Sequence, residues 1–386
     1  MNPDSFQLSD LRRSPDVEAA NLFAWDASDG YLLEAVAQYL PDLAEPADQL
    51  VLLNDSYGAL SFGMAARFGV KGIRVQQDLC TGEQALRENG ERLGIELGAR
   101  QRSLLVDGGA ALLSGARLVL LKLPRGLAEL EQTAQAIARH ADPGAVLLAA
   151  GRVKHMSLAM NAVLARYFGT VRASLAQQKS RLLTATDPAL PTDAVGFPLS
   201  ATVQAAPGLE LEVRAHGAVF AGAALDIGTR FLFDSLTEPQ LPQVGTVIDL
   251  GCGTGLLATR AALLRPESKV IATDRSEAAI RSATATAAAN GARNVTVLQD
   301  DAGQSLPAGC ADFILLNPPF HSGAAVHTGV ALKLFAAAAR LLAPGGRLWT
   351  VYNRHLDYRP VLQRTIGPSR AIAQGPKFTV LESTRR

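Results

Sequence analysis

The carboxy-terminal half of the chain alternates short apolar runs with longer stretches rich in alanine and leucine. The apolar runs predict strands at Thr246–Leu250, Lys269–Thr273, Val295–Gln299, Asp312–Leu316, Arg347–Tyr352 and Lys377–Leu381. The stretches between them predict helices at Leu256–Leu264, Glu277–Asn290 and Leu332–Leu342. Short apolar strands separated by helices are typical of a parallel sheet that is covered on both faces. This half therefore predicts a doubly wound α/β domain.

The amino-terminal half repeats the same plan more faintly. Five blocks match in order, among them Ala116–Pro124 with Ala311–Pro319, Val51–Asn54 with Val247–Leu250, and Asp78 with Asp274. One matched apolar block would mean little, but five in order at a nearly constant spacing indicate that a whole domain is duplicated. We therefore expect two tandem doubly wound, Rossmann-like domains over residues 1–190 and 200–386. The stretch Thr184–Pro207, which carries several prolines and threonines, is expected to connect them.

Composition narrows the class of protein. Of the 386 residues, 48% are hydrophobic and 19% are charged, which excludes wholesale disorder and supplies two cores. No apolar run reaches the roughly 20 residues of a membrane-spanning helix, and residues 1–5 carry no hydrophobic leader. Cys80, Cys252 and Cys310 are too few and too far apart for a disulfide framework or a cysteine zinc site. We expect a cytoplasmic protein without a metal or a membrane partner.

A glycine-rich turn follows the first predicted strand of the second half. Glycines let the backbone approach a ligand closely, and the helix that follows offers free N–H groups. The predicted cofactor-binding residues of this turn are Asp249, Gly251, Cys252, Gly253 and Gly255. Asp274 ends the next predicted strand, where a carboxylate accepts hydrogen bonds from both hydroxyls of a ribose. Together these residues predict a nucleoside-cofactor site.

These residues alone leave two classes of cofactor open. Dinucleotide enzymes favour the spacing G-x-G-x-x-G, with the diphosphate on the helix end, whereas the glycines here run G-x-G-x-G. Asp249 precedes them and suits a cationic ligand. S-adenosylmethionine carries a sulfonium and an α-amino group but no phosphate, and it fits that carboxylate better. Of the two acids after the next strand, Asp300 and Asp301, we assign Asp301 to the adenine amino group.

The tetrad Asn317-Pro318-Pro319-Phe320 follows another predicted strand, at the sheet edge where α/β ligands bind. The Asn317 side-chain oxygen and the Pro318 carbonyl can each accept one N–H of a planar amine on this proline-stiffened loop. Holding both hydrogens restores lone-pair character to the nitrogen and aims it at a sulfonium methyl. Phe320 can stack on the ring. These four residues are the predicted catalytic set, and Asn317 is also expected to touch the cofactor.

The motifs resemble those of class I S-adenosylmethionine-dependent methyltransferases, and more narrowly the ribosomal RNA guanine-N2 methyltransferases with two tandem methyltransferase-like domains. The segments that carry the resemblance are Leu225–Arg230, Asp249–Gly255, Asp274, Asn317–His321 and Asn353–Tyr358. The resemblance implies methyl transfer to the 2-amino group of a guanine in ribosomal RNA. Asn353–Tyr358 favours the large-subunit branch and 23S rRNA, whereas Ala373-Gln374 is also similar to the small-subunit, 16S branch. Adenine N6 and protein glutamine stay open as alternative amines.

The resemblance also implies that the first domain is degenerate and does not methylate. In the sequence alignment, Asp55, Tyr57 and Ala59 stand at the three glycine positions, and Lys122 stands in place of Asn317. A lysine carries donors only, so it cannot accept the hydrogens of an amine. Both the cofactor site and the chemistry are therefore expected to be absent from this half.

Basic residues collect near the end of the first half, although the formal net charge of the chain is only +1. They are Arg152, Lys154, Arg166, Arg172, Lys179 and Arg181, with Lys122 and Arg125 at the former active-site edge. No acidic residue occurs between Asp142 and Asp187. This patch predicts a phosphate-contacting platform for ribosomal RNA. The sequence leaves the oligomeric state open and is compatible with a monomer.

Overall fold

The structure is a computed structural model that describes residues 6–206, 208–236, 245–319 and 324–386. Contacts between Cα atoms divide the chain into two units, Met1–Gly196 and Phe197–Arg386. We call them unit 1 and unit 2 and describe each by itself.

Unit 1 contains seven α-helices and seven strands within its described residues. The helices are α1 (Ala27–Ala35), α2 (Pro46–Gln49), α3 (Ala59–Phe68), α4 (Cys80–Leu93), α5 (Ala110–Leu113), α6 (Leu127–His140) and α7 (Leu158–Ala165). The strands are β1 (Leu50–Leu53), β2 (Arg74–Gln76), β3 (Arg100–Gln101), β4 (Leu118–Lys122), β5 (Val146–Arg152), β6 (Phe168–Ala173) and β7 (Ser180–Pro188). They form one sheet in the order β3-β2-β1-β4-β5-β7-β6.

Unit 2 begins with a two-stranded hairpin, β8 (Leu199–Ala206) and β9 (Leu209–Ala215). Its further strands are β10 (Thr246–Leu250), β11 (Lys269–Asp274), β12 (Val295–Gln299), β13 (Ala311–Leu316), β14 (Leu342–Asn353), β15 (Ser369–Gln374) and β16 (Phe378–Thr384). Its helices are α8 (Ile227–Ser235), α9 (Leu256–Leu264), α10 (Glu277–Ala289), α11 (Ala324–Leu341) and α12 (Arg359–Thr365). The larger sheet runs β12-β11-β10-β13-β14-β16-β15.

The two larger sheets therefore have the same strand order, and the predicted fold of two tandem doubly wound α/β domains is confirmed. In both sheets the central strands are parallel, and one strand near the edge, β7 or β16, runs antiparallel to its neighbours. Period-two alternation explains the two cores of each unit. Val51 and Leu53 of β1 pack into one buried cluster, whereas Leu50 and Leu52 pack into the cluster on the opposite face.

Several predicted bounds need correction. The helix predicted at Leu332–Leu342 begins at Ala324, and α8, α12 and β15 were not predicted at all. The connecting stretch Thr184–Pro207 is largely strand, because it contains the end of β7 and all of β8. The prolines and threonines of this stretch suggested a linker. In β8, however, polar and small apolar residues alternate, and this alternation suits a pleated strand.

Candidate active site

The glycine turn of unit 2 joins β10 to α9 and leaves space above the backbone. Gly251 and Gly253 have φ values of +80° and +53°, a region that side-chain-bearing residues rarely adopt. A Cβ atom added at either position would meet nothing within 4 Å. Gly255 has a different role, because a Cβ there would lie 2.7 Å from the Cβ of Ala283 on α10. The first two glycines thus keep a cradle open, and the third lets two helices pack closely.

Asp249 lies at the end of β10, and only 1% of it is exposed. Its Oδ2 accepts a 2.9 Å hydrogen bond from the backbone N–H of Ala258, near the start of α9. Its Oδ1 is buried and has no hydrogen-bond partner within the described residues. Burial raises the pKa of Asp249 to about 7, and the neighbouring charge of Asp274 adds to the effect. A buried carboxylate oxygen without a partner suits a ligand that donates a hydrogen or carries positive charge.

Asp274 ties two loops together at the end of β11. Its Oδ2 accepts from the N–H of Gly253 at 3.1 Å, and its Oδ1 accepts from the N–H of Ser276 at 3.0 Å. Desolvation raises the pKa of this carboxyl, although these hydrogen bonds oppose the effect. The backbone N–H of Arg275 donates a third hydrogen bond, and because a carboxylate has about four lone-pair sites, some acceptor capacity remains. The structure therefore places Asp274 beside the glycine cradle with acceptor capacity left for ribose hydroxyls.

Cys252 contributes differently from its neighbours in the turn. Its backbone N–H donates to the carbonyl of Thr273, and its carbonyl accepts from the N–H of Gly255. The thiol is buried in the core, and burial raises its pKa well above the ordinary value. The cofactor contact predicted for Cys252 stays a prediction.

The two acids after β12 are both engaged by the protein. The Oδ2 of Asp300 accepts from the backbone N–H of Ser305 at 2.9 Å and from its hydroxyl at 2.6 Å. The Oδ2 of Asp301 lies 2.5 Å from the Nζ of Lys333 on α11. An ammonium group therefore neutralises the residue that we assigned to the adenine. That assignment stays a prediction, with the remaining oxygen of Asp301 as the acceptor.

Asn317 follows β13, and its side chain is fixed by residues of α8. Its Nδ2 donates to the hydroxyl oxygen of Thr229 at 2.8 Å and to the Oδ2 of Asp226 at 3.3 Å. Its Oδ1 is buried and has no partner within the described residues. Pro318 is buried and Pro319 is exposed. Phe320, the predicted stacking residue, lies outside the described residues.

Asp226 and Thr229 are site residues that the sequence analysis missed. Asp226 is the N-cap of α8, and its carboxylate accepts from the N–H groups of Gly228 at 2.9 Å and Thr229 at 3.1 Å. An aspartate directly before the first helical residue is an N-cap signal. That signal predicts the helix but not the side chain that the cap residue holds.

Unit 1 shows how the same position has changed. Lys122 ends β4, at the place of Asn317 in unit 2, as the sequence alignment predicted. Its Nζ lies 2.7 Å from Asp29 and 3.2 Å from Asp26, two residues at the start of α1. Burial raises the pKa of Asp29 to about 6 despite the nearby ammonium. Lys122 and hydrogen bonds to Ser28 lower the pKa of Asp26, outweighing its burial. An ion cluster therefore occupies the place of the amide.

The predicted alignment of the glycine turn was wrong by one residue. Leu50 pairs with Leu118 in the same way that Val247 pairs with Phe313, so Leu50 corresponds to Val247. The residues at the three glycine positions are consequently Asn54, Ser56 and Gly58, not Asp55, Tyr57 and Ala59. The residue at the place of Asp274 is likewise Gln77, not Asp78. Two short apolar strands match almost equally well in a sequence alignment after a shift of one residue, which explains the error.

With the corrected register, unit 1 still lacks an open cradle. Asn54 has a φ of +62°, as Gly251 has a positive φ, but it carries a side chain. The Nδ2 of Asn54 donates to the carboxylate of Glu129 at 3.1 Å and lies 3.4 Å from the carbonyl of Lys122. Burial, together with the charge of Asp78, raises the pKa of Glu129 to about 7. Side chains thus span the space that Gly251 leaves open in unit 2.

The predicted basic platform of unit 1 is only partly available. Arg166 forms ion pairs with Glu131 at 2.5 Å and with Asp193 at 3.7 Å, so its charge is balanced. Lys154, Arg172 and Lys179 are exposed. Within the described ranges, no helix is both long and apolar enough to cross a membrane, and no cluster of three potential metal ligands occurs.

Comparison with known proteins gives matches over both units. The Methyltransferase small domain family matches residues 210–382, and the RLMG N-terminal domain family matches residues 3–189. The chain is 35% identical to the ribosomal RNA large subunit methyltransferase G of Streptomyces avermitilis, over 97% of each chain. It is 36% identical to the protein of the same name from Pseudomonas aeruginosa, over 98% of each chain.

A solved structure resembles both units at once. It is a 16S rRNA N2 methyltransferase of T. thermophilus, in complex with AdoMet and guanosine, and it is 22% identical. The match has a TM-score of 0.75 and covers 94% of this chain and 92% of that one. At this level of identity the likeness establishes the fold.

Proposed function

Because the chain belongs to the ribosomal RNA large subunit methyltransferase G family, we propose that it methylates the 2-amino group of a guanine in large-subunit ribosomal RNA. The observation that carries this proposal is the buried, unpartnered Oδ1 of Asn317. A buried acceptor without a partner costs free energy unless a ligand satisfies it. An exocyclic amine donates two hydrogens, and Oδ1 with the Pro318 carbonyl can accept both.

The residues of unit 2 fit S-adenosylmethionine as the methyl donor. Gly251 and Gly253 leave space for it, the unpartnered Oδ1 of Asp249 suits its cationic amino-acid end, and Asp274 suits its ribose. When bound, this cofactor supplies a methyl group on a sulfonium, which needs no further activation. Sequence motifs and family membership support the same cofactor.

The protein contributes orientation more than acid–base chemistry. Asn317 holds the amine so that its lone pair points out of the ring plane and towards the methyl group. An amide oxygen is not a base at neutral pH, so Asn317 does not remove the proton, and the methylated amine releases it to water after transfer. The buried Pro318 keeps the second acceptor on a stiff backbone. Asn317 and Pro318 are thus the proposed catalytic residues of the described part of the loop.

We propose that unit 1 binds RNA phosphates and does not methylate. Lys154, Arg172 and Lys179 are exposed basic residues on one unit. Replacing all three with Ala should weaken RNA binding and reduce the salt dependence of log K by about 0.7 per lost phosphate contact. Arg166→Ala is the matched control, because Glu131 and Asp193 already balance that charge. An unchanged salt slope in the triple variant would show that the platform lies elsewhere.

A ribosomal RNA substrate also implies a cytoplasmic site of action.

The decisive test of the activity is the product. Large-subunit RNA lacking its native methyl groups is incubated with the protein and S-adenosylmethionine, then digested to nucleosides and analysed by mass spectrometry. We expect N2-methylguanosine at one position that primer extension can map. N6-methyladenosine in this RNA would contradict the proposal, as would an unmethylated large-subunit RNA when small-subunit RNA or a ribosomal protein is methylated in a parallel incubation.

A further inference from the structure

The amide of Asn317 is held in one of its two possible orientations. Its Nδ2 lies 2.8 Å from the Thr229 hydroxyl and 3.3 Å from the carboxylate Oδ2 of Asp226. Turning the amide over would place its oxygen against that carboxylate oxygen, where no hydrogen could lie between them. The contacts therefore select the orientation in which Oδ1 is the free acceptor.

The group that holds the amide is itself rigid. The same Asp226 oxygen accepts from two backbone N–H groups at the start of α8, those of Gly228 and Thr229. The helix that carries them is anchored in the core of unit 2 by Leu232 and Phe233, which are almost fully buried. Asp226 and Thr229 thus form a clamp with one fixed geometry. We call these two residues the α8 clamp.

Unit 1 has side chains at the same two helix positions, but they hold a different residue. Asp26 caps α1 as Asp226 caps α8, and Asp29 lies at the third position of the helix, where unit 2 has Thr229. Both acids contact Lys122, which stands at the place of Asn317. In each unit, side chains at the start of this helix therefore fix the residue at the carboxyl end of the corresponding strand, Lys122 at β4 or Asn317 after β13. The clamp side chains differ in the way that their occupants require: two acids hold a cation, and an acid with a hydroxyl holds an amide.

We propose that Asp226 and Thr229 are positioning residues for methyl transfer, which fix Asn317 so that its Oδ1 faces the substrate amine. The inference rests on the proposed function and adds that the orientation of the amide is imposed by α8. Without the Thr229 hydroxyl, the amide can turn or tilt, and the amine loses its aligned acceptor. The loss appears in the transfer step, because neither clamp residue needs to touch the cofactor or the RNA for this role.

The test replaces Thr229 with Val, which keeps the shape of the side chain and removes the hydroxyl. We expect kcat to fall by about tenfold to a hundredfold, the size expected for small misplacements of a reacting group. The affinity for S-adenosylmethionine and the KM for RNA should not change. Thr229→Ser retains the hydroxyl and should restore kcat to within about threefold of the parent. Thr284→Val is the matched control, since Thr284 is an exposed threonine of α10 whose hydroxyl donates to the Ile280 carbonyl.

A double-mutant cycle separates positioning from a merely structural effect. If Thr229 acts through Asn317, then Thr229→Val should cause no further loss of kcat in an Asn317→Ala background. Independent, additive losses would overturn the inference, as would a Thr229→Val protein with the parental kcat or with weakened cofactor binding. These results are distinguishable from failure of the proposed function, in which the parental protein itself would yield no N2-methylguanosine.

Discussion

Unit 1 and unit 2 share a strand order but differ at the ends of the same strands. In unit 2 the first loop is open above Gly251 and Gly253, and the residue after β13 is an amide with a free oxygen. In unit 1 the corresponding loop is spanned by Asn54 and Glu129, and the residue at the end of β4 is a cation held by two acids. The strand order is the same in both units, while the polar residues at the carboxyl edge of the sheet differ.

The comparison indicates that the fold and the proposed activity depend on different residues. The strands of both units remain apolar and buried, so either sequence satisfies the same sheet. The proposed chemistry depends on a few side chains and glycines at the strand ends, and these can change at little cost to the core. The charge at Lys122 even gives unit 1 an internal ion cluster of its own.

The largest expected effect comes from removing the amide of unit 2. Asn317→Ala should lower kcat for methyl transfer by about a thousandfold, comparable to the loss of an oriented electrostatic partner in other active sites. Cofactor affinity, measured by calorimetry, should persist. Lys122→Asn added to that variant should not restore activity, because unit 1 has no open cradle beside it. Full activity of Asn317→Ala would show that another group orients the amine.

The second prediction concerns a substitution that breaks the ion cluster of unit 1. Lys122→Met leaves Asp29, which is almost fully buried, without its cation, and should lower the free energy of unfolding by about 3 kcal/mol at pH 8. The pKa of Asp29 is already raised to about 6, and losing Lys122 raises it further. A carboxyl with a raised folded pKa loses stability as the pH rises above about 4, so the variant should recover towards pH 5.

Denaturant unfolding and hydrogen exchange of the α1 and β4 amides measure that loss. Arg281→Ala is the control, because its pair with Glu277 lies on the surface of one helix and contributes about 0.5 kcal/mol. Equal effects of the two substitutions would mean that the Lys122 cluster is no more than a surface ion pair.

The sequence predicted features that depend on neighbouring residues better than features that depend on contacts between distant residues. The bounds of β10 and α9 are local properties, and sequence patterns predicted them. The contact between Asn317 and Thr229 joins residues far apart in the chain, and no local pattern encodes it. The alignment of Asp55 with Gly251 failed because apolar strands match equally well after a shift of one residue. Only the hydrogen-bond register of β1 with β4 placed Asn54 there.

The third prediction concerns a substitution that fills the open space of unit 2, as side chains fill the corresponding space in unit 1. Gly253→Ala puts a methyl group into the open space and imposes an unfavourable φ of +53° on alanine. The affinity for S-adenosylmethionine should fall by at least about tenfold, or about 1.4 kcal/mol, in a calorimetric titration. Ser56→Ala, at the same place in unit 1, should have no effect. An unchanged affinity in Gly253→Ala would remove this turn from the cofactor site.

The smallest expected effect is a pH dependence of cofactor binding. The pKa of Asp249 is about 7 because the carboxyl is buried, whereas unit 1 has Leu52 at the same place. A cationic ligand favours the ionised form, so cofactor affinity should increase by up to about tenfold per pH unit as the pH rises from about 6 to 7. Asp249→Asn should bind more weakly and lose this dependence. The same slope in both proteins would assign the titration to another group.

In the cofactor-free protein, the pH dependence of stability has the opposite sign to that of cofactor affinity. The unfolded carboxyl ionises near pH 4 and the folded one near pH 7, so Asp249 lowers the stability of the free protein as the pH rises through that window. Asp249→Asn should therefore unfold at a higher denaturant concentration than the parent at pH 8, and at the same concentration below pH 4.

The most direct test of the central difference between the units is the number of cofactor sites per chain. Isothermal titration of the full chain with S-adenosylmethionine should give one equivalent bound, which Gly253→Ala weakens and Lys122→Asn leaves unchanged. Two equivalents per chain, or binding that Lys122→Asn abolishes and Gly253→Ala does not affect, would contradict the assignment of the site to unit 2.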